Sequence, residues 1–238
     1  MRRFALVATL AAALAGLAAP AASATNECRG LMVCVSVPGP WVAIAAPSAG
    51  VRFPTARWEL LCPRGYIVGG LDALLSDQAI DIGFQGLLGS PVNPGITTRA
   101  NAIFTGTYTG VVRHETSFKP LIGCMPTSGG GGRSTTVHTR AAAAFPPGEP
   151  TLTHEWKVRL APGARGGSTF GCRAKERLVA AWHAVGFWTE APPEPTLVAS
   201  VHAQSAVRSG RVVVVAERDE VSPPARVELQ VVTVCTRP

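Results

Sequence analysis

Three carboxylates, Asp72, Asp77 and Asp81, are the densest set of groups in this chain that could hold a cation. Carboxylates near turns are the hard oxygen donors that calcium takes. Their spacing fits no EF-hand loop, and Gln78, Ile80 and Ile82 interrupt them, so the reading preferred for them is solvated turn charge. The histidines stand at 114, 138, 154, 183 and 202. His154-Glu155 lacks the second histidine of a zinc-protease HExxH helix. His183 and His202 could meet across strands, but His183 between Trp182 and Ala184 reads first as a structural histidine on a half-buried strand. No GxSxG elbow and no SxxK motif supplies a nucleophile. No two cysteines have CxxC spacing, so no metal site is expected and no cofactor is expected either.

The tryptophans carry the other candidate chemistry. Trp58 and Trp156 each follow a similar stretch, Ala43–Leu60 and Ala141–Val158. Aligned without a gap, these stretches share Ala45/Ala143, Ala46/Ala144, Gly50/Gly148, Thr55/Thr153 and Trp58/Trp156. A tryptophan packed beside a disulfide is a frequent sandwich core, so both are expected inside. Trp188, next to Pro192-Pro193, is expected near the surface, where an exposed aromatic face can stack on a sugar. The residues most worth following as a binding site are therefore Asp72, Asp77, Asp81, His183 and Trp188.

What positions these groups is a cysteine framework. All six cysteines lie beyond an N-terminal stretch of Met-Arg-Arg, an apolar run from Phe4 to about Ala19, Pro20 and Ala22-Ser23-Ala24. That is the layout of a secretory signal peptide cleaved after Ala24. The run is shorter than the roughly 20 residues a membrane-spanning helix needs, and no later apolar tail follows, so no stable membrane insertion is expected. An even cysteine count in an exported chain points to disulfides. Cys62 to Cys124 spans 124 − 62 = 62 positions and Cys172 to Cys235 spans 235 − 172 = 63. Those near-equal spans select Cys62–Cys124 and Cys172–Cys235 as equivalent bridges and leave Cys28–Cys34 as a short loop. In the chain-entropy picture each long bridge contributes about 4 kcal/mol and the short one about 2.

The expected fold is all-β: two tandem disulfide-bonded β-sandwich-like repeats after a cleaved signal peptide. The expected divisions are a leader over 1–24, an N-terminal disulfide loop and strand over 25–39, a first repeat over 40–127, a Gly-rich linker over 128–136 and a second repeat over 137–238. Four consecutive glycines, Gly129 to Gly132, mark the linker; no Lys-Ser/Thr pair follows them to make a phosphate loop. Ala174–Val185 has helical spacing of Leu178, Ala181, Trp182 and Val185. Its counterpart contains Gly69-Gly70, a poor helix, so the repeat predicts strand over Arg177–Val185. Gly69-Gly70 itself suggests a bulge or a close backbone approach.

The full chain carries a formal charge of +7, and removing Arg2 and Arg3 leaves 20 Lys and Arg against 15 Asp and Glu, or +5. The arginines are scattered singles rather than a stripe interleaved with aromatics, which argues against nucleic acid. The sequence thus points to a secreted, non-catalytic binding or cell-envelope interaction protein whose partner is an extracellular protein or a glycan. The alternatives are an extracellular hydrolase with a site between the repeats and a carrier of apolar ligands.

Overall fold

The computed structural model describes residues 27–29, 31, 33–85, 100–112, 114–126 and 151–236. The expected leader over 1–24 and linker over 128–136 lie outside them. The described chain is nearly all β. Its strands are β1 (Val35–Pro38), β2 (Trp41–Ile44), β3 (Thr55–Leu61), β4 (Tyr66–Leu75), β5 (Ile80–Gln85), β6 (Asn101–Tyr108) and β7 (Thr116–Pro126). There follow β8 (Thr151–Leu160), β9 (Arg165–Gly171), β10 (Arg177–Trp188), a five-residue helix α1 (Pro195–Ala199), β11 (Val201–Arg208), β12 (Arg211–Arg218) and β13 (Arg226–Thr236). No helix among them is long and apolar enough to cross a membrane. The three bridges are Cys28–Cys34, Cys62–Cys124 and Cys172–Cys235, a framework typical of oxidising compartments.

A seven-stranded antiparallel sheet runs through the whole described chain. β7 is flanked on one edge by β4 and on the other by β1 and β2 end to end; β2 then meets β10, β10 pairs β13, and β13 pairs β8. Two three-stranded sheets cover it, β3-β6-β5 and β9-β12-β11 in hydrogen-bonded order. They lie on opposite faces, as the alternation along the two seam strands shows. Val42 and Ile44 of β2 and Ala184 of β10 belong to the core under β3-β6-β5, with Trp58, Phe104 and Phe118. Trp41, Ala43, Val185 and Phe187 belong to the core under β9-β12-β11, with Val212, Val214 and Val231. A period of two puts successive side chains on opposite faces, so β2 and β10 each feed both cores.

β10 is a strand despite its helix-compatible spacing. It pairs with β13 from Arg177 to Trp188, interrupted only by a register shift between Leu178 and Ala180. Long-range pairing with a Val-rich neighbour overrides local propensity. Gly69-Gly70 is both bulged and crowded. The β4–β7 register shifts between Val68 and Gly70, and a Cβ on Gly70 or Gly123 would sit 1.7 or 2.0 Å from the Glu27 carbonyl oxygen. The N-terminal disulfide loop lies directly on the sheet there.

The match of Ala43–Leu60 with Ala141–Val158 does not lay equivalent strands on one another. Trp58 is on β3, opposite Phe104 of β6 in a covering sheet. Trp156 is on β8, opposite Val231 of β13 at the edge of the large sheet. Counted from the bridging cysteine, the counterpart of Trp58 is Ser168 on β9, opposite Val214. Trp58 is fully buried, whereas Trp156 is only half-buried and rests on Phe170, 5.2 Å between ring centroids. The expectation of a core Trp156 is corrected accordingly.

Gly186, where β10 meets β2, is the tightest point of the seam. A Cβ there would lie 2.5 Å from Pro40 Cγ and 2.7 Å from Trp58 Cη2. Gly186→Ala is expected to destabilise by about 1–3 kcal/mol through overpacking, read as a shifted urea midpoint at unchanged slope. An unchanged midpoint would mean that Pro40 and Trp58 can move apart freely.

Candidate functional site

β2 and β10 pair through only two positions, Val42↔Gly186 and Trp41↔Phe187. Beyond these the strands part. The gap is a cleft of about 310 Å3 whose walls include Ile44, Ala45, Ala56, Val185, Phe187 and Val198, with His183 and Glu115 as its ionisable groups. That volume is at the small end of ligand sites, which run from about 300 to 1,000 Å3. A second hollow of about 160 Å3 adjoins it, sharing Glu115 and Val198 and walled further by Pro192, Pro193 and Pro195. The part of β2 and β10 that faces this gap carries backbone N–H and C=O groups that do not pair across it, since the β2–β10 register stops at Val42.

His183 is held from β11, in the sheet that faces β10. Its Nδ1 lies 2.9 Å from Ser205 Oγ and its Nε2 lies 3.3 Å from the Ala203 carbonyl oxygen. A carbonyl can only accept, so Nε2 carries the proton and Nδ1 accepts from the Ser205 hydroxyl. Burial holds His183 below the ordinary histidine range, partly offset by the bond to Ala203, so the ring is neutral at pH 7. His183 meets Ser205 rather than His202, which lies opposite Glu217 of β12 and is exposed.

The three candidate carboxylates are spread out. Asp72 is on β4 and accepts from the Ala73 N–H at 2.8 Å. Asp77, in the β4–β5 turn, accepts from the Ala79 N–H at 2.7 Å and contacts His114 Nε2 at 3.0 Å. Asp81 is exposed on β5, in the covering sheet rather than the large one. The three do not form a group of ligand atoms among the described residues. Asp72 and His183 are separated in the sheet by β7 and β2. Trp188 is 37% exposed, with the Arg226 guanidinium 4.7 Å from its ring centre; a cation already covers one face.

Of the sequence candidates, then, His183 alone lines the cleft. Ser205 and Glu115 were missed. Ser205 meets His183 from 22 positions away, and neither Ser205 nor Glu115 sits in a local motif. Comparison with known protein families, curated proteins and solved structures gave no match.

Proposed function

We propose that this is an exported binding protein that takes a short extended segment of an extracellular protein partner into the cleft between β2 and β10. The observation that carries this reading is the parting of two strands of one sheet after two paired positions. Strand edges with unpaired backbone groups accept an added strand, with main-chain hydrogen bonds giving affinity and side-chain pockets giving selectivity. Small apolar walls from Ala45, Ala56 and Val185 leave room for the guest's side chains. Both ring nitrogens of His183 are already engaged, which suits a positioned wall residue.

The strand pattern also supports a duplication. β3, β4, β5, β6 and β7 follow the same pairing order as β9, β10, β11, β12 and β13, with β1 and β2 standing where β8 stands. Export is read from the leader-like N-terminus together with the disulfide framework.

Selection of a random heptapeptide display library on the immobilised chain tests the binding reading. Ala45 lines the cleft and is exposed, so Ala45→Trp fills the gap without entering the core. Selected peptides are expected to lose about tenfold or more in affinity for Ala45→Trp, the cost of one blocked pocket. Peptides that bind the variant as well as the parent chain would refute the site.

One observation favours a hydrolase instead. Ser205 Oγ–H donates to a neutral His183 whose tautomer is fixed by the Ala203 carbonyl, which is the proton-acceptor half of a nucleophilic dyad. Release of nitrophenol from short acyl esters that is abolished in Ser205→Ala would support that reading. Equal rates in Ser205→Ala and the parent chain would remove it.

A further inference from the structure

We propose that the Cys172–Cys235 bridge is the oxidised form of a zinc site that His154 and Glu176 complete. His154 Nε2 lies 2.7 Å from Glu176 Oε2, with the two side chains only 16% and 8% exposed. Those two atoms and Cys235 Sγ all lie within 4.8 Å of one another. Cys172 Sγ is one bond from Cys235 Sγ. Three donors of the types zinc takes, one sulfur, one imidazole nitrogen and one carboxylate oxygen, therefore lie together, and Cys172 Sγ adjoins them through its bond to Cys235. Tetrahedral bonds of about 2.0–2.3 Å set donors about 3–4 Å apart, and the present spacings bracket that.

The backbone is arranged to bring Glu176 there. The turn after Cys172 runs Arg173-Ala174-Lys175-Glu176, closed by Glu176 N–H to the Arg173 carbonyl at 3.0 Å. Lys175 sits at φ 72°, a left-handed conformation that costs a side-chain-bearing residue of order 1 kcal/mol or more. The turn after Cys62 has Gly65 at the same offset, at φ 85°, where no such cost arises. Tyr66 then stands where Glu176 stands. The Cys62–Cys124 bridge thus lacks the carboxylate and serves as an internal control. Glu176 Oε2 also accepts from the Arg173 N–H at 2.9 Å, which fixes its orientation.

The chemistry balances as follows. A dithiol reductant gives two electrons and two protons to the S–S bond, forming two cysteine thiols and its own disulfide. On Zn2+ binding each thiol releases one proton to solvent as its S–Zn bond forms. The proton between His154 Nε2 and Glu176 Oε2 passes through solvent to Nδ1, which frees the Nε2 lone pair, and Glu176 offers a carboxylate oxygen in place of their mutual contact. The metal then ties the Arg173–Glu176 turn to β13, as the bridge does in the oxidised chain, and adds β8 through His154.

The test uses the full chain, reduced without air by a phosphine that leaves no competing thiol, and titrated with Co2+ and then Zn2+. One equivalent of Co2+ is expected to give a thiolate charge-transfer band with tetrahedral visible bands, and Zn2+ to displace it and restore the β-sheet circular dichroism. His154→Ala and Glu176→Ala, each first shown to fold when oxidised, are expected to bind about tenfold or more weakly. The double variant Cys172→Ser, Cys235→Ser is expected to lose the band. A reduced chain that neither binds Co2+ nor regains structure on Zn2+ would overturn the proposal. So would undiminished binding in both single variants, a band retained in the double variant, or equal binding by the oxidised chain.

Discussion

Arg218→Met is expected to lose at least about 4 kcal/mol of folding stability, measured by urea denaturation. Arg218 is 2% exposed and, among the described residues, has no carboxylate in its hydrogen bonds. Nη1 donates to the Leu160 carbonyl at 2.9 Å and to the Ala225 carbonyl at 3.0 Å, Nη2 to the Pro223 carbonyl at 2.9 Å, and Nε to Ser222 Oγ at 3.0 Å. A flat five-donor fork is needed to reach acceptors in these directions at once. Methionine keeps much of the volume and leaves three carbonyls without their donor, each worth about 1–3 kcal/mol when buried. Ser222 in turn contacts Ser200 Oγ at 2.9 Å, and Ser200 holds the Leu197 carbonyl, so the knot also fixes α1. Val198 of α1 walls both hollows; peptide affinity is therefore expected to fall in Arg218→Lys even where that variant stays folded. A loss under about 1 kcal/mol in Arg218→Met would show that water replaces the guanidinium and that the knot is open to solvent.

Glu59→Gln is expected to remove a pH dependence of about 3 kcal/mol from the chain. Glu59 is 2% exposed on β3, where that strand crosses β13. Its backbone N–H donates to Gln230 Oε1 at 2.8 Å and its carbonyl accepts from Gln230 Nε2 at 2.9 Å. Burial pushes the Glu59 carboxyl up from 4.5 to about 7; the hydrogen bond from Asn101 opposes this, Glu155 adds to it and Lys157 opposes it. Among the described residues the Oε2 atom has no hydrogen-bond partner, so no donor there steadies the carboxylate form. The folded chain thus holds this proton more tightly than the unfolded chain does. The stability so contributed is fully present below pH 4.5, declines as pH rises, and is gone above about 7. A shift of that size corresponds to about 3 kcal/mol. Read as the difference between the two chains, Glu59→Gln should match the parent near pH 4 and exceed it at pH 8. Parallel stability curves across that range would show that Glu59 is ionised in the folded chain.

The long bridges and the strand character of β10 were legible in the sequence, because equal cysteine spans mark equivalent positions and the counterpart of β10 carries Gly69-Gly70, which a helix disfavours. The surface placement of Trp188 was legible from its proline neighbours. The Trp58 and Trp156 match misled because shared residue types record composition, whereas a strand's place depends on its partner. β3 pairs β6 and β8 pairs β13, which no local stretch reveals. The meeting of His183 with Ser205 was hidden for a related reason: the two face each other across layers, a contact that period-two spacing does not specify. Glu59, Gln230 and Arg218 look like ordinary solvated residues in the sequence. Only the crossing of a covering strand over β13, or the convergence of three carbonyls, makes their burial tolerable.

Apart from β1, which shares one edge of β7 with β2, the large sheet is built from two blocks of three strands, β4-β7-β2 and β10-β13-β8, with every neighbouring pair antiparallel. Three is odd, so the second block enters the sheet inverted relative to the first. Blocks of even size would enter upright, and both covers would crowd one face and leave the other bare. Parity therefore accounts for a seam whose strands serve two cores. It also sets the stoichiometry expected of the proposed binding: a chain of two such blocks has a single seam, so one guest per molecule is the expected saturation.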